Sequence, residues 1–139
     1  KILMSQYLRP ASTAGLRHLA LNVNDLVASL DFYTRLLGMA IEWQPDEDNV
    51  YLTSGNDNLA LHRVANQVDQ NSVQSLDHLG FIIDAADDVN HWFDFLQQEK
   101  VEMLTQVKDH RDGARSFYCK DPEGNAVQII YHPPLSLGE

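Results

Sequence analysis

The sequence predicts an α+β fold of two paired β-α-β-β-β modules, on three observations: an internal repeat, strands that alternate in period two, and a helix-period stretch after the first strand of each copy. Leu16 to Trp43 lies over Leu76 to Met103 at a constant offset of 60 without a gap. Leu16, His18, Leu19, Leu36 and Glu42 match Leu76, His78, Leu79, Leu96 and Glu102 identically, and the apolar pattern agrees across the window. A second block, Tyr51 to Val64, fits Phe117 to Ile130 at offset 66, with the extra residues falling in the charged loop around Lys108 to Ala114. At 139 residues the chain is sized for one domain. The reading divides it into module 1 (16–64), a polar linker (65–75), module 2 (76–132) and a loose tail (133–139). The chain starts at Lys1, so 1–15 is set aside as a poorly ordered extension or a foreign remnant.

Each element has a local cause. Leu16 to Val23 alternates, with Leu19, Leu21 and Val23 on one face. Asn24 or Asp25 can cap a helix carrying Leu26, Leu30, Tyr33 and Leu37, which Gly38 stops. Met39–Trp43, Asn49–Thr53 and Leu59–Val64 read as three strands, the last two separated by a turn-rich run from Ser54 to Asn58. The second copy gives strand Asp77–Ile83, then a helix opened by Asp87 and Asp88 with Val89, Phe93 and Leu96 inward. Strands Val101–Val107, Arg115–Cys119 and Asn125–Tyr131 follow. Asp121-Pro122-Glu123-Gly124 places Pro second and Gly fourth, a type I turn signal.

Composition narrows the partners. Ten Lys plus Arg against twenty Asp plus Glu leave a net charge of −10, which repels nucleic-acid phosphates and anionic lipid, so neither is an expected partner. Cys119 is the only cysteine, which excludes an internal disulfide and a multi-cysteine metal cluster and fits a cytoplasmic location.

The repeat sets His18 opposite His78 and His62 opposite Gln128, two pairs of donors at pseudo-equivalent places. Parity puts each on the strand face away from the leucines: His18 with Ala20 and Asn22, His62 with Ala60, His78 with Gly80, Gln128 with Ala126. Donors beside small residues leave an open volume, as a metal or ligand cup requires. The chemistry of the set favours a divalent transition metal (Zn, Ni, Co, Fe(II) or Mn) over Mg or Ca, which prefer oxygen shells with carboxylates. Asn22, on the His18 face, and Arg115, a cation able to attract an anionic substrate, are the candidate substrate contacts. No catalytic residue is assigned. His91, His110 and His132 read as surface residues, and Glu42 as an exposed strand end.

The strand LRHLALNV, the helix DLVASLDFYTRLLGM, the second strand LDHLGFII and the closing RSFYCKDPEGNAVQII together resemble the vicinal oxygen chelate superfamily over roughly Leu16 to His132. That superfamily includes glyoxalase I, fosfomycin and bleomycin resistance proteins and extradiol dioxygenases. The resemblance implies a glyoxalase-like cup of curved mixed sheets with the helices outside, metal donors on the first and fourth strand of each module, and commonly a homodimer. Carried over, the donors are His18, His62, His78 and Gln128. Relatives of the glyoxalase type usually present Glu on the fourth strands, one acting as the proton-transferring base. Here those places hold His62 and Gln128, and an amide cannot take a proton near pH 7. Two readings follow. One is a metal-dependent enzyme acting on a small oxygen-rich substrate chelated through vicinal oxygens, by lyase or isomerase, transferase or dioxygenase chemistry. The other is a metal-free protein that sequesters a small molecule.

Overall fold

A computed structural model describes residues 16–65, 76 and 78–137; the extension 1–15, most of the linker and Asp77 lie outside them. The elements run β1 (His18–Val23), α1 (Leu26–Asp31), β2 (Ala40–Asp46), β3 (Asn49–Thr53) and β4 (Asn58–Arg63) in the first half. The second half holds β5 (Leu79–Ile82), α2 (Ala86–Gln98), β6 (Lys108–Asp109), β7 (Arg115–Lys120) and β8 (Ala126–Tyr131). Two four-stranded mixed sheets result, in the orders β1-β4-β3-β2 and β5-β8-β7-β6. In each, the first strand runs parallel to the fourth and forms an edge. The α+β architecture is the one expected.

Asp25 caps α1, its carboxylate accepting from the Ala28 N–H at 3.0 Å. The helix then widens into a π turn over Phe32–Leu36, with the Leu37 N–H reaching the Phe32 carbonyl at 3.0 Å. The wider turn lets both Phe32 and Tyr33 as well as Leu36 face inward, a broader buried face than the plain helical spacing predicts. Gly38, at φ +83°, ends it where an L side chain would be strained. On α2, Val89, Phe93 and Leu96 are buried as their spacing requires, and Asp87 and Asp88 sit in the first turn where the helix dipole favours negative charge. The core is continuous across both halves: the ring of Tyr33, in the π turn, lies 6.1 Å from the Phe81 ring of β5, and within the second half Phe93 packs edge-on against Phe117 at 5.2 Å.

Two expectations are corrected. The strand expected over Val101–Val107 is reduced to a single bridge, Met103 to Cys119, ahead of the two-residue β6. Leu104 and Thr105 both donate to the Tyr118 carbonyl, and the Thr105 hydroxyl accepts the Tyr118 N–H at 3.0 Å, so a side chain takes a place in the ladder and the pairing breaks. The tail, expected loose, folds back through residue 137: Ser136 donates to the Ile83 carbonyl at 2.7 Å and the Leu137 N–H to Asp84 at 2.9 Å.

Burial, reinforced by Asp121, pushes the Cys119 thiol up to about 12 from its ordinary value of 9.0. Burial and the same carboxylate raise the Tyr33 phenol well above 10.0. Between pH 9 and 12 the unfolded chain releases protons that the folded chain keeps, so stability is full below about pH 9 and falls as pH rises, by up to about 1.4 kcal/mol per pH unit for each group. Urea unfolding at pH 8 and pH 10.5 should show this loss, and iodoacetamide at pH 8 should leave Cys119 unmodified until urea is added.

Candidate functional site

The edge strands β1 and β5 bound a cavity of about 430 Å³ lined by Arg17, His18, Asn58, His78, Gly80 and Phe81 among others, a size suited to a small ligand. His18 and His78, aligned by the repeat, thus open onto one volume. Gln128 stands beside it. The parallel register pairs Gly80 of β5 with Gln128 of β8, and a Cβ built on Gly80 would lie 3.7 Å from the Gln128 Oε1. Across the same face, Tyr118 pairs with Gln128 and its ring meets that of His78 edge-on at 5.2 Å. Gly80 has no side chain to stand between the cavity and the Gln128 amide.

His62 is not brought to this cavity. On the parallel pair β1–β4, His18 faces Asn58 and Asn22 faces His62, so the two imidazoles stand four residues apart, about 13 Å along the strands. The ungapped alignment at offset 66 misplaced it. Ala60 pairs with Ala20 as Gln128 pairs with Gly80, so the counterpart of Gln128 is Ala60, at an offset of 68. A slip of two residues preserves parity, which is why alternation alone did not expose it. Among the described residues, no three His, Cys, Asp or Glu side chains gather as a metal-holding group. The cavity is lined by two imidazoles, and the Gln128 amide lies behind Gly80 of that lining.

The two candidate substrate contacts separate as well. Asn22 is exposed on the His18 face, at the His62 level and away from the cavity. Arg115 is engaged elsewhere, its Nε donating to Asp109 at 2.7 Å and its Nη1 lying 3.5 Å from Asp87. It borders a different hollow, with Phe93 and Gln106, and its charge is already matched.

Two residues that sequence reading passed over join the site. Asn58 Oδ1 lies 2.7 Å from His18 Nδ1, and Asn58 Nδ2 donates to Glu42 at 2.5 Å. The arrangement recurs at His62, whose Nδ1 lies 2.6 Å from Asn49 Oδ1 while Asn49 Nδ2 donates to Asp46 at 2.9 Å. The Asp48 N–H and then the Asn49 amide hold the Asp46 carboxyl below the usual carboxylate range. Around His62 the face is aromatic: Trp43 stacks on Tyr51 at 5.3 Å, and Tyr51 meets His62 edge-on at 5.9 Å.

Residues 15–129 match the Glyoxalase/Bleomycin resistance protein/Dioxygenase superfamily. The chain belongs to this superfamily. It is 28% identical over 116 residues to the metallothiol transferase FosB of Staphylococcus epidermidis, covering 83% of this chain and 80% of that protein. The FosB of Staphylococcus haemolyticus is also 28% identical, with 83% and 81% covered. Among solved structures, lactoylglutathione lyase from Agrobacterium tumefaciens superposes with a TM-score of 0.72 at 20% identity, over 88% of this chain and 97% of that one. A glyoxalase/bleomycin resistance protein/dioxygenase from Alicyclobacillus acidocaldarius gives 0.67 at 20% identity, over 88% and 95%. These structural likenesses speak for the fold. No helix among the described residues is long and apolar enough to cross a membrane.

Proposed function

We propose that the chain is a metal-dependent enzyme of the superfamily that holds a divalent transition metal through His18, His78 and Gln128 and acts on a small substrate with adjacent oxygens. The observation that carries this reading is the opening of His18 and His78 onto one cavity, with the Gln128 amide next to Gly80 of its lining. The donor chemistry fits. Two imidazoles and an amide oxygen suit Zn, Ni, Co, Mn or Fe(II), and three protein donors leave further coordination positions for a ligand. Similarity to proteins named metallothiol transferases supports group transfer among the superfamily's reaction types.

When bound, the metal would supply Lewis acidity toward a substrate oxygen. The residues of the chain do the rest. Imidazole and amide are uncharged as metal donors, so they leave the cation's charge to an anionic, chelating substrate. Gln128 cannot accept a proton from carbon, which sets aside proton-abstracting isomerisation and leaves a reaction needing no protein carboxylate on β8. Phe81 and Met39 give the cavity an apolar wall, and by excluding water such a wall strengthens polar contacts inside.

Protein purified without a histidine tag should carry close to one transition-metal ion per chain by elemental analysis. His18→Ala and His78→Ala should each arrive nearly empty. Wild-type protein that binds none of Zn, Co, Ni or Mn on titration would transfer the cavity to the second reading, metal-free ligand binding.

A further inference from the structure

We propose that Asn58 and Glu42 are positioning residues that lock the tautomer of His18, leaving its Nε2 as the nitrogen that bears the lone pair. The inference rests on the reading of His18 as a metal donor, and it gives a role to two residues that the sequence reading left without one.

The hydrogen-bond chain has only one consistent direction. An ionised Glu42 carboxylate can only accept, so the Asn58 amide must turn its NH₂ toward Glu42 and its oxygen toward His18. That oxygen can in turn only accept, so His18 Nδ1 must carry the hydrogen. A neutral imidazole has one N–H, and Nε2 is therefore bare. A metal ligand needs this state, because a histidine coordinates through the nitrogen whose partner nitrogen is held by a donor–acceptor contact.

A break in the sheet register brings Glu42 there. The sheet order β1-β4-β3-β2 leaves β3 between β2 and β4, so an ordinary residue of β2 would meet β3 and not Asn58. The β2–β3 register slips between Ile41, paired with Leu52, and Trp43, paired with Tyr51. Glu42 is the extra residue of that bulge, and bulges re-aim the side chain they insert. Asn58 opens β4 as the Cα partner of His18 and lines the cavity beside it. The second relay, His62–Asn49–Asp46, also follows a register slip, between Trp43 and Asp46. It lies away from the cavity and so provides an internal control.

The test has two readouts on the intact chain. The first is imidazole ¹⁵N–¹H correlation at about pH 8, where histidine is neutral, on metal-free protein. His18 is expected as the Nδ1–H tautomer in wild type and in Asn58→Asp, which keeps an acceptor oxygen. It should shift toward Nε2–H in Asn58→Ala, whereas Asn49→Ala should move only His62. The second is Co²⁺ titration. Asn58→Ala should weaken binding about ten- to a hundredfold and Glu42→Ala by about threefold or more, with Asn49→Ala within about threefold of wild type. His18 found as Nε2–H in wild type overturns the proposal, as does Asn58→Ala with unchanged affinity while His18→Ala loses it. If His18→Ala binds Co²⁺ as well as wild type does, the metal reading itself fails, and the NMR result still decides the tautomer lock.

Discussion

Asp121→Ala is expected to lower the unfolding free energy by about 3 kcal/mol, measured by urea denaturation at pH 7, more than a typical point substitution costs. Asp121 is buried, and its carboxylate accepts the Tyr33 hydroxyl at 2.7 Å, the Asn125 amide at 2.9 Å, and the N–H groups of Glu123 and Asn125 at 3.0 and 2.8 Å. Alanine strands all four donors, and Tyr33 is fully buried with no water to turn to. Each orphaned buried group costs about 1–3 kcal/mol, offset in part because the smaller residue no longer buries a charge.

The loss should spread, because the same turn ties the two halves together. The Glu123 carboxylate accepts the Asn24 and Asp25 N–H groups at 2.8 and 2.7 Å, capping the approach to α1. Glu123 is held by its own N–H on Asp121, so unseating Asp121 loosens that cap too. Tyr33→Phe removes a single bond and should cost about 1–2 kcal/mol. A loss under about 1 kcal/mol for Asp121→Ala would mean that the contact between the halves is not carried by this turn.

The turn itself was legible from Asp121-Pro122-Glu123-Gly124, but the roles of its two carboxylates were not. A turn signature reports local backbone geometry, whereas Tyr33 lies 88 residues from Asp121 and Asn24 99 residues from Glu123. The strands β1, β3 and β8 and helix α2 announced themselves because one face of each is more buried than the other, which writes a period into the sequence. Val101–Val107 carried a strand-like pattern and failed because Thr105 competes for the backbone of Tyr118.

The site divided along the same line. His18 and His78 were readable since the repeat aligns their strands without a gap, and the edge strands then face one cavity. His62 was placed by an alignment that ran through a loop whose length differs between the copies, and the hydrogen-bonded register moved it two residues off. The link between Glu42 and Asn58 was invisible for a different reason. A bulge adds a residue without changing composition or hydrophobicity, so no periodic reading locates it.

Gln128→Glu is the substitution expected to change metal binding most in the favourable direction, tightening Co²⁺ or Zn²⁺ roughly a hundredfold, about 2.7 kcal/mol. The two side chains share length and shape, and Gln128 is half-buried on β8 beside Gly80, so the change should leave the sheet intact. What changes is charge. In the proposed site the imidazoles of His18 and His78 and the amide of Gln128 would leave a dication uncompensated, and a carboxylate in place of the amide would neutralise half of it with a stronger donor. The gain should come with a loss: a cation already partly neutralised attracts an anionic chelating ligand less, so binding of a probe such as oxalate to the Co²⁺-loaded variant should weaken. Unchanged Co²⁺ affinity would mean that the residue-128 side chain does not meet the ion, and would leave His18 and His78 as the donors of a two-imidazole site.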